Sequence, residues 1–334
     1  MIKIIAYGIR NDEEPFLKQW VNEHPEVDVK VETNLLDENT VDKSKGFDGI
    51  VAYQQKPYSK QVINKFSEYG IKNLSLRNVG IDNLDIETIK KNKIKVTNVP
   101  SYSPAAIAEL TLTSILELLR NSKRFQKKIE LGDFSWEPDI SNELNQMTIG
   151  VYATGRIGKK VIDFVRGFGA KIIAYDIYQD PKLKDEGIYV DTPKKLYENS
   201  DILTLHAPAV KENYHLINDD TIDQMKPGIK IINPARGDLI DTDALIRGLD
   251  SGRISGAALD VIENEVGIFN NTFDSFDKIP DENIKKLISK DNVIITPHIA
   301  FYTKPAVKNM VQDALNANLD LIKTGISDKI VKFD

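Results

Sequence analysis

The 334-residue chain is long enough for two domains at about 150 residues each, and with 41% apolar and 28% charged residues it can bury cores and keep a polar surface. It has no cysteine, which excludes disulfides, cysteine nucleophiles, iron–sulfur clusters and Cys-ligated zinc; its four histidines, His24, His206, His215 and His298, include no pair four residues apart, so no metal site is expected. A net charge of −6 without a basic block argues against nucleic acid as a partner, no apolar run approaches the roughly 18–20 residues of a membrane span, and the short apolar start is no signal peptide, so a cytoplasmic location is expected.

The chain opens with a strand over 2–7, followed by a polar helix over 12–20. Further strands are expected over 27–31, 49–53, 74–77 and 94–97, with a helix over 61–69 that sets Val62, Ile63, Phe66 and Tyr69 at helical spacing. This alternation is that of a parallel βαβ sheet. After Val99-Pro100 the pattern changes. Ser103 and Pro104 read as the N-cap and first residue of a helix running through 105–130. Its apolar residues fall on most sides, which places it between domains or at a subunit contact. A second strand series follows over 149–153, 171–175, 202–206, 229–233, 256–260 and 293–296. Its strands are nearly continuous apolar runs, as a sheet covered on both faces requires. A last helix spans 305–321.

The stretch Ala153-Thr154-Gly155-Arg156-Ile157-Gly158 leads from the first strand of the second series into a helix over 159–168. A second strand then ends at Asp176. Strand, glycine turn, helix and an acid about 20 residues on are the setting of a dinucleotide fingerprint. There the helix N-terminus faces a pyrophosphate, Gly155 allows close approach, and Gly158 allows the helix to pack on the strand. Ala153 stands where the first glycine is expected, and its methyl group is tolerable at negative φ. Asp176 suits the ribose hydroxyls of NAD and repels the 2′-phosphate of NADP.

Four polar residues sit where strands of the second series end: Arg236 after 229–233, Asp260 at the end of 256–260, Glu265 in the loop beyond, and His298 after 293–296. Ligands of open α/β sheets bind at the carboxyl ends of strands. An arginine, a carboxylate and a histidine gathered there suit the reduction of a 2-keto acid. Arginine holds a carboxylate or polarises the ketone, histidine supplies a proton near neutral pH, and a neighbouring carboxylate orients the ring. Taken singly, each has a plainer alternative as a surface charge or a structural side chain.

With these motifs in view the chain resembles the D-specific 2-hydroxyacid dehydrogenases, most closely their bacterial D-lactate branch. The resemblance runs along the whole chain. It is carried by Leu76-Arg77-Asn78-Val79-Gly80-Ile81-Asp82-Asn83, Asn98-Val99-Pro100-Ser101-Tyr102-Ser103-Pro104, the glycine turn, Asn233-Pro234-Ala235-Arg236-Gly237, Glu263-Asn264-Glu265-Val266-Gly267-Ile268-Phe269 and Thr296-Pro297-His298-Ile299-Ala300-Phe301-Tyr302. It implies an α/β fold of two Rossmann-like doubly wound parallel-sheet domains with an active-site cleft between them. Residues 1–100 plus 300–334 would form the substrate-binding domain and 101–299 the NAD-binding domain. It further implies a homodimer built on the long helix after the crossover.

The same resemblance makes Arg236, Glu265 and His298 the catalytic set, with His298 as proton donor. Cofactor contacts would be Gly155, Arg156, Ile157, Gly158, Asp176, Ala207, Pro208, Asn213, Pro234, Ala235, Arg236 and Asp260. The substrate carboxylate would meet the backbone of Val79 and Gly80, with Tyr102 nearby, and Arg236 and His298 would also touch substrate. The expected reaction is NADH-dependent reduction of pyruvate to D-lactate. The alternatives are a dehydrogenase for bulkier keto acids, such as 2-ketoisocaproate or phenylpyruvate, and a dinucleotide-sensing binding protein on the same fold. Substrate size is expected to be limited by aromatic side chains: Tyr53 at the end of strand 49–53, then Phe301 and Tyr302, with Trp136 as a further candidate. For Tyr53 the alternative is a core aromatic.

Overall fold

The computed structural model describes residues 1–333, which divide into two compact units: 1–103 with 302–333, and Pro104–Phe301. Each builds its own all-parallel sheet.

The first unit runs β1 (Ile2–Tyr7), α1 (Glu14–Glu23), β2 (Val27–Glu32), β3 (Gly49–Ala52), α2 (Lys60–Glu68), β4 (Asn73–Leu76), α3 (Ile86–Lys91) and β5 (Lys95–Thr97), in spatial order β2-β1-β3-β4-β5. The chain leaves β1 to one side and returns to the other at β3, so a crevice opens at the carboxyl ends of these two strands. All four residues of β3 are buried. Helix starts are set by side chains: Ser59 accepts from the Val62 N–H and Asp85 from the Thr88 N–H. The C-terminal helix Lys304–Thr324 completes this unit, its buried Asn318 donating to Ile50 O and Ser75 Oγ at 3.0 Å each. β3 stops at Ala52, one residue before the expected end, so Tyr53 lies just beyond the strand. α1 starts at Glu14 rather than at Asp12, because residues 11–13 form a turn that carries the Glu13 carboxylate inward to a buried partner, Arg77.

The second unit runs α4 (Pro104–Leu119), α5 (Ser122–Glu130), β6 (Thr148–Tyr152), α6 (Arg156–Arg166), β7 (Lys171–Tyr175), α7 (Pro181–Asp185), α8 (Pro193–Asn199), β8 (Ile202–Leu205), α9 (Asp219–Gln224), β9 (Ile229–Asn233), α10 (Thr242–Asp250), β10 (Ile254–Leu259), α11 (Glu282–Ser289) and β11 (Val293–Ile295). Its spatial order is β11-β10-β9-β8-β6-β7, with the switch between β6 and β8. The single helix expected over 105–130 is two. Asn121 takes a left-handed φ of +52, a conformation its short polar side chain tolerates, and breaks the run. α4 buries Ile107, Ile115, Leu118 and Leu119, whereas α5 buries none of its residues. α6 begins at Arg156, not Lys159, because Gly155 is its N-cap. Among the described residues, no helix is long and apolar enough to cross a membrane.

Candidate active site

Strands β9, β10 and β11 are parallel neighbours, so the loops leaving them emerge side by side. Arg236 follows β9. Its loop is shaped by buried Asn233, whose side chain accepts from Ala235 N–H (3.1 Å) and donates to Arg236 O (2.8 Å). Glu265 follows β10, and its Oε2 accepts from Ile262 N–H at 3.1 Å. His298 follows β11. Its Nδ1 lies 2.5 Å from Glu265 Oε1, so the expected histidine–carboxylate pair is formed. The ring stays 30% exposed and the carboxylate 14%, which leaves the imidazole open to a ligand.

His298 has φ +55, a strained conformation for a side chain of this size. Asp260, 5% exposed, holds the strained loop: its carboxylate accepts from Thr296 Oγ1 (2.6 Å), Ile299 N–H and Ala300 N–H (both 2.9 Å), and its carbonyl accepts from His298 N–H (2.8 Å). Burial pushes the Asp260 carboxyl up, and these hydrogen bonds offset part of that rise.

The glycine turn joins β6 to α6. Nothing lies within 4 Å of where a Cβ on Gly155 would stand, so the face toward a ligand is open. A Cβ on Gly158 would lie 2.1 Å from Ala153 O, so only glycine lets α6 close on the strand end. Ala153 departs from expectation: its φ is +69, not negative, and the methyl group is carried in a left-handed turn. Asp176 follows β7. Its Oδ2 accepts from Thr154 N–H (2.6 Å) and Oγ1 (3.0 Å), and its Oδ1 from Tyr178 N–H (2.9 Å), which points the carboxylate back over the turn. An open helix N-terminus with an acid fixed beside it fits NAD.

The remaining cofactor candidates lie along the same unit. Arg156 and Ile157 open α6. After β8, Ala207 is buried, while Asn213 donates to Pro208 O and accepts from Val210 N–H. Pro234 and Ala235 precede Arg236 and are half-buried. Just before Ala207, desolvation pulls His206 down to about 3, so its ring is neutral.

In the first unit, Val79 is 38% exposed after β4, and its carbonyl accepts from Asn98 Nδ2 (2.6 Å). Gly80 O accepts from Asn78 Nδ2 (2.7 Å), so two asparagines shape this loop. Tyr53 is half-buried, with the Arg10 guanidinium 5.3 Å from its ring centroid; the same guanidinium lies 6.0 Å from the Tyr302 ring. Tyr102 is half-buried and packs against the core cluster that includes Ile4 and Ala6 of β1, and Asn309 donates to its carbonyl. Phe301 is half-buried at the end of the second unit, and Trp136 is 77% exposed on the segment after α5.

Three groups emerge only in three dimensions. Arg10 reaches Tyr53 and Tyr302 while chelated by Asp12 at 3.0 Å through two nitrogens. Arg77 and Glu13 form a fully buried ion pair at 2.9 Å at the root of the Val79 loop. His215 meets Glu263 at 2.6 Å.

The family model described as "D-isomer specific 2-hydroxyacid dehydrogenase, NAD binding domain" matches residues 112–300. The chain is 52% identical over 333 residues to D-lactate dehydrogenase of Lactiplantibacillus plantarum and 53% identical over 334 residues to D-lactate/D-glycerate dehydrogenase of Pediococcus acidilactici, covering 100% of both chains in each case. It also matches the crystal structure of the NAD-complexed D-isomer specific 2-hydroxyacid dehydrogenase of Lactobacillus delbrueckii ssp. bulgaricus, with TM-score 0.86, 36% identity, 99% of this chain and 100% of that one. The chain belongs to the D-isomer specific 2-hydroxyacid dehydrogenases.

Proposed function

We propose that this chain is an NAD-dependent D-lactate dehydrogenase that reduces pyruvate to D-lactate. The observation that carries the reading is the His298–Glu265 pair beside the Arg236 loop, on three adjacent strand ends of the unit that holds the NAD-binding fingerprint. NADH, when bound, supplies the hydride. The chain's own residues do the rest. Arg236 offers a planar fork of donors to the substrate carboxylate and ketone. With Nδ1 held by Glu265, His298 presents the proton on Nε2 to the ketone oxygen, and Glu265 steadies the charged ring until that proton leaves. Backbone N–H groups of Val79 and Gly80 are the proposed carboxylate contacts, with Tyr53, Tyr102, Phe301 and Tyr302 around the methyl group.

In this reading residues 1–100 with 300–334 bind substrate and 101–299 bind NAD. Because the reaction reoxidises NADH, it suits a cytoplasmic fermentative step. Homodimerisation fits the exposed apolar residues of the segment after α5, Leu131 (80%), Phe134 (77%), Trp136 (77%) and Ile140 (95%).

The test is a panel of pyruvate, 2-ketoisocaproate and phenylpyruvate followed by NADH absorbance, with chiral analysis of the products. Pyruvate should give the highest kcat/KM and D-lactate the only product. His298→Ala should cut turnover about 10²–10⁴-fold while NADH still binds. L-lactate as product, or near-normal turnover of the variant at neutral pH, would overturn the reading.

A further inference from the structure

The loop after β10 presents two carboxylates, two residues apart, to two histidines. Glu265 Oε1 meets His298 Nδ1 at 2.5 Å, and Glu263 Oε1 meets His215 Nε2 at 2.6 Å. Both histidines hold left-handed backbones, φ +55 and +51, which side chains of this size keep only where the surroundings over-determine them. The mechanism uses the first pair and gives the second no role.

Glu263 binds more than His215. Its Oε2 accepts from the N–H (2.8 Å) and the hydroxyl (2.6 Å) of Thr242, the first residue of α10. His215 is fixed in turn: its N–H donates to Asp238 O (2.8 Å), Tyr214 stacks on its ring at 3.9 Å, and Asp241 Oδ2 lies 3.8 Å from Nδ1. Gly237, directly after Arg236, presses on the same loop; a Cβ there would stand 2.2 Å from the Ile262 carbonyl carbon and oxygen and 2.6 Å from Glu263 N. Three strand-end loops therefore converge at Glu263: the one after β8 with Asn213, the one after β9 with Arg236, and its own with Glu265. The pair is 27% and 18% exposed, so water screens its charge-assisted hydrogen bond only in part.

We infer that His215 and Glu263 are positioning residues for the reduction: their pair locks the loop so that Glu265 reaches His298. This rests on His298 being the proton donor. Within its unit the carboxylates of Glu265 and Asp260 face His298, on the side of the Arg236 loop; Glu263 and Asp241 face His215, with Tyr214 stacked on the ring. Asp260 is held by Thr296, Ile299 and Ala300, independently of Glu263. Loosening the clamp therefore withdraws one carboxylate from His298 and leaves the other.

The test compares His215→Gln, Glu263→Gln and the double variant with the wild type. Each single change should lower kcat for pyruvate about tenfold at neutral pH, with KM changing less than about threefold. The alkaline fall-off of kcat should move to lower pH, because an imidazolium short of a carboxylate gives up its proton more readily. The double variant should match the worse single within about twofold, as two members of one interaction do. A readout independent of turnover is the ring NMR titration of His298 in the apoprotein, assigned with His298→Ala among only four histidines; it should shift in the same direction. The inference is overturned if fall-off and titration coincide with the wild type in both variants, if the single losses multiply, or if only Tm drops. Should His298→Ala keep normal turnover, the proton-donor reading fails, and the NMR titration still decides the clamp.

Discussion

Ala153 carries a Cβ into a turn at φ +69, where an L-residue is strained by about 1–2 kcal/mol, and the Gly158 helix turn closes on its carbonyl. Glycine relieves the strain but loses more freedom on folding, so Ala153→Gly should stabilise the protein by a net of about 0.5–1 kcal/mol. A melt should show Tm rising by roughly 1–2 °C; a fall would mean that the methyl group packs better than the backbone suffers. His206 ties stability to pH. Held near 3 by desolvation when folded, it binds a proton in the unfolded chain below about 6.5. The unfolded state therefore takes up more protons, and stability drops as pH falls through that window, by up to about 1 kcal/mol per unit. His206→Gln should flatten the slope of denaturant-derived stability between pH 6 and 4. An unchanged slope would mean that the ring takes up its proton alike in the folded and the unfolded chain.

At the scale of elements, the buried Arg77–Glu13 pair ties the end of β4 to the start of α1. Arg77 also donates to Tyr7 O (2.9 Å), at the end of β1, and to Gly8 O (2.8 Å) just beyond it. Both side chains are 0% exposed, so removing one charge strands the other. Glu13→Gln should cost about 3–5 kcal/mol in equilibrium unfolding; a loss under about 1 kcal/mol would mean that water reaches the guanidinium.

This pair was invisible in the sequence, as was His215–Glu263, because partners 64 and 48 residues apart leave no periodic trace. The strands and the glycine turn were legible because backbone demands write themselves locally: apolar runs for strands covered on both faces, glycine where a helix must close on a strand. The break at Asn121 was not, since a single left-handed asparagine leaves the apolar spacing on either side of it intact. Arg236, Glu265 and His298 could be picked out by their place after strands; that His298 and Glu265 meet at 2.5 Å required the sheet order.

At the scale of the whole molecule, the chain builds most of one unit, leaves it at Ser103, completes the other, and returns at Tyr302. What returns is structural. The C-terminal helix inserts Asn318 between Ile50 and Ser75, and the tail adds to the sheet edge, with Val331 N–H donating to Val96 O at 2.9 Å and Lys95 Nζ reaching Gly325 O at 2.6 Å. The first unit thus depends on residues at both ends of the sequence, and the second on one continuous stretch.

That connectivity sets an order on biosynthesis. The five strands of the first sheet leave the ribosome early, yet the helix that covers β3 and β4 is translated only after Phe301. At about 5–20 residues per second, the opening segment waits roughly 10–40 s with an apolar sheet face uncovered, while the inserted stretch can fold as soon as it emerges. Nascent chains arrested at residue 301 and clear of the exit tunnel should therefore be cut by protease within residues 1–103 and resist within 104–301, and extension to full length should protect both. Equal protection at 301 would show that the sheet closes without its last helix. The early segment, not the catalytic one, is then where a chaperone has most to do.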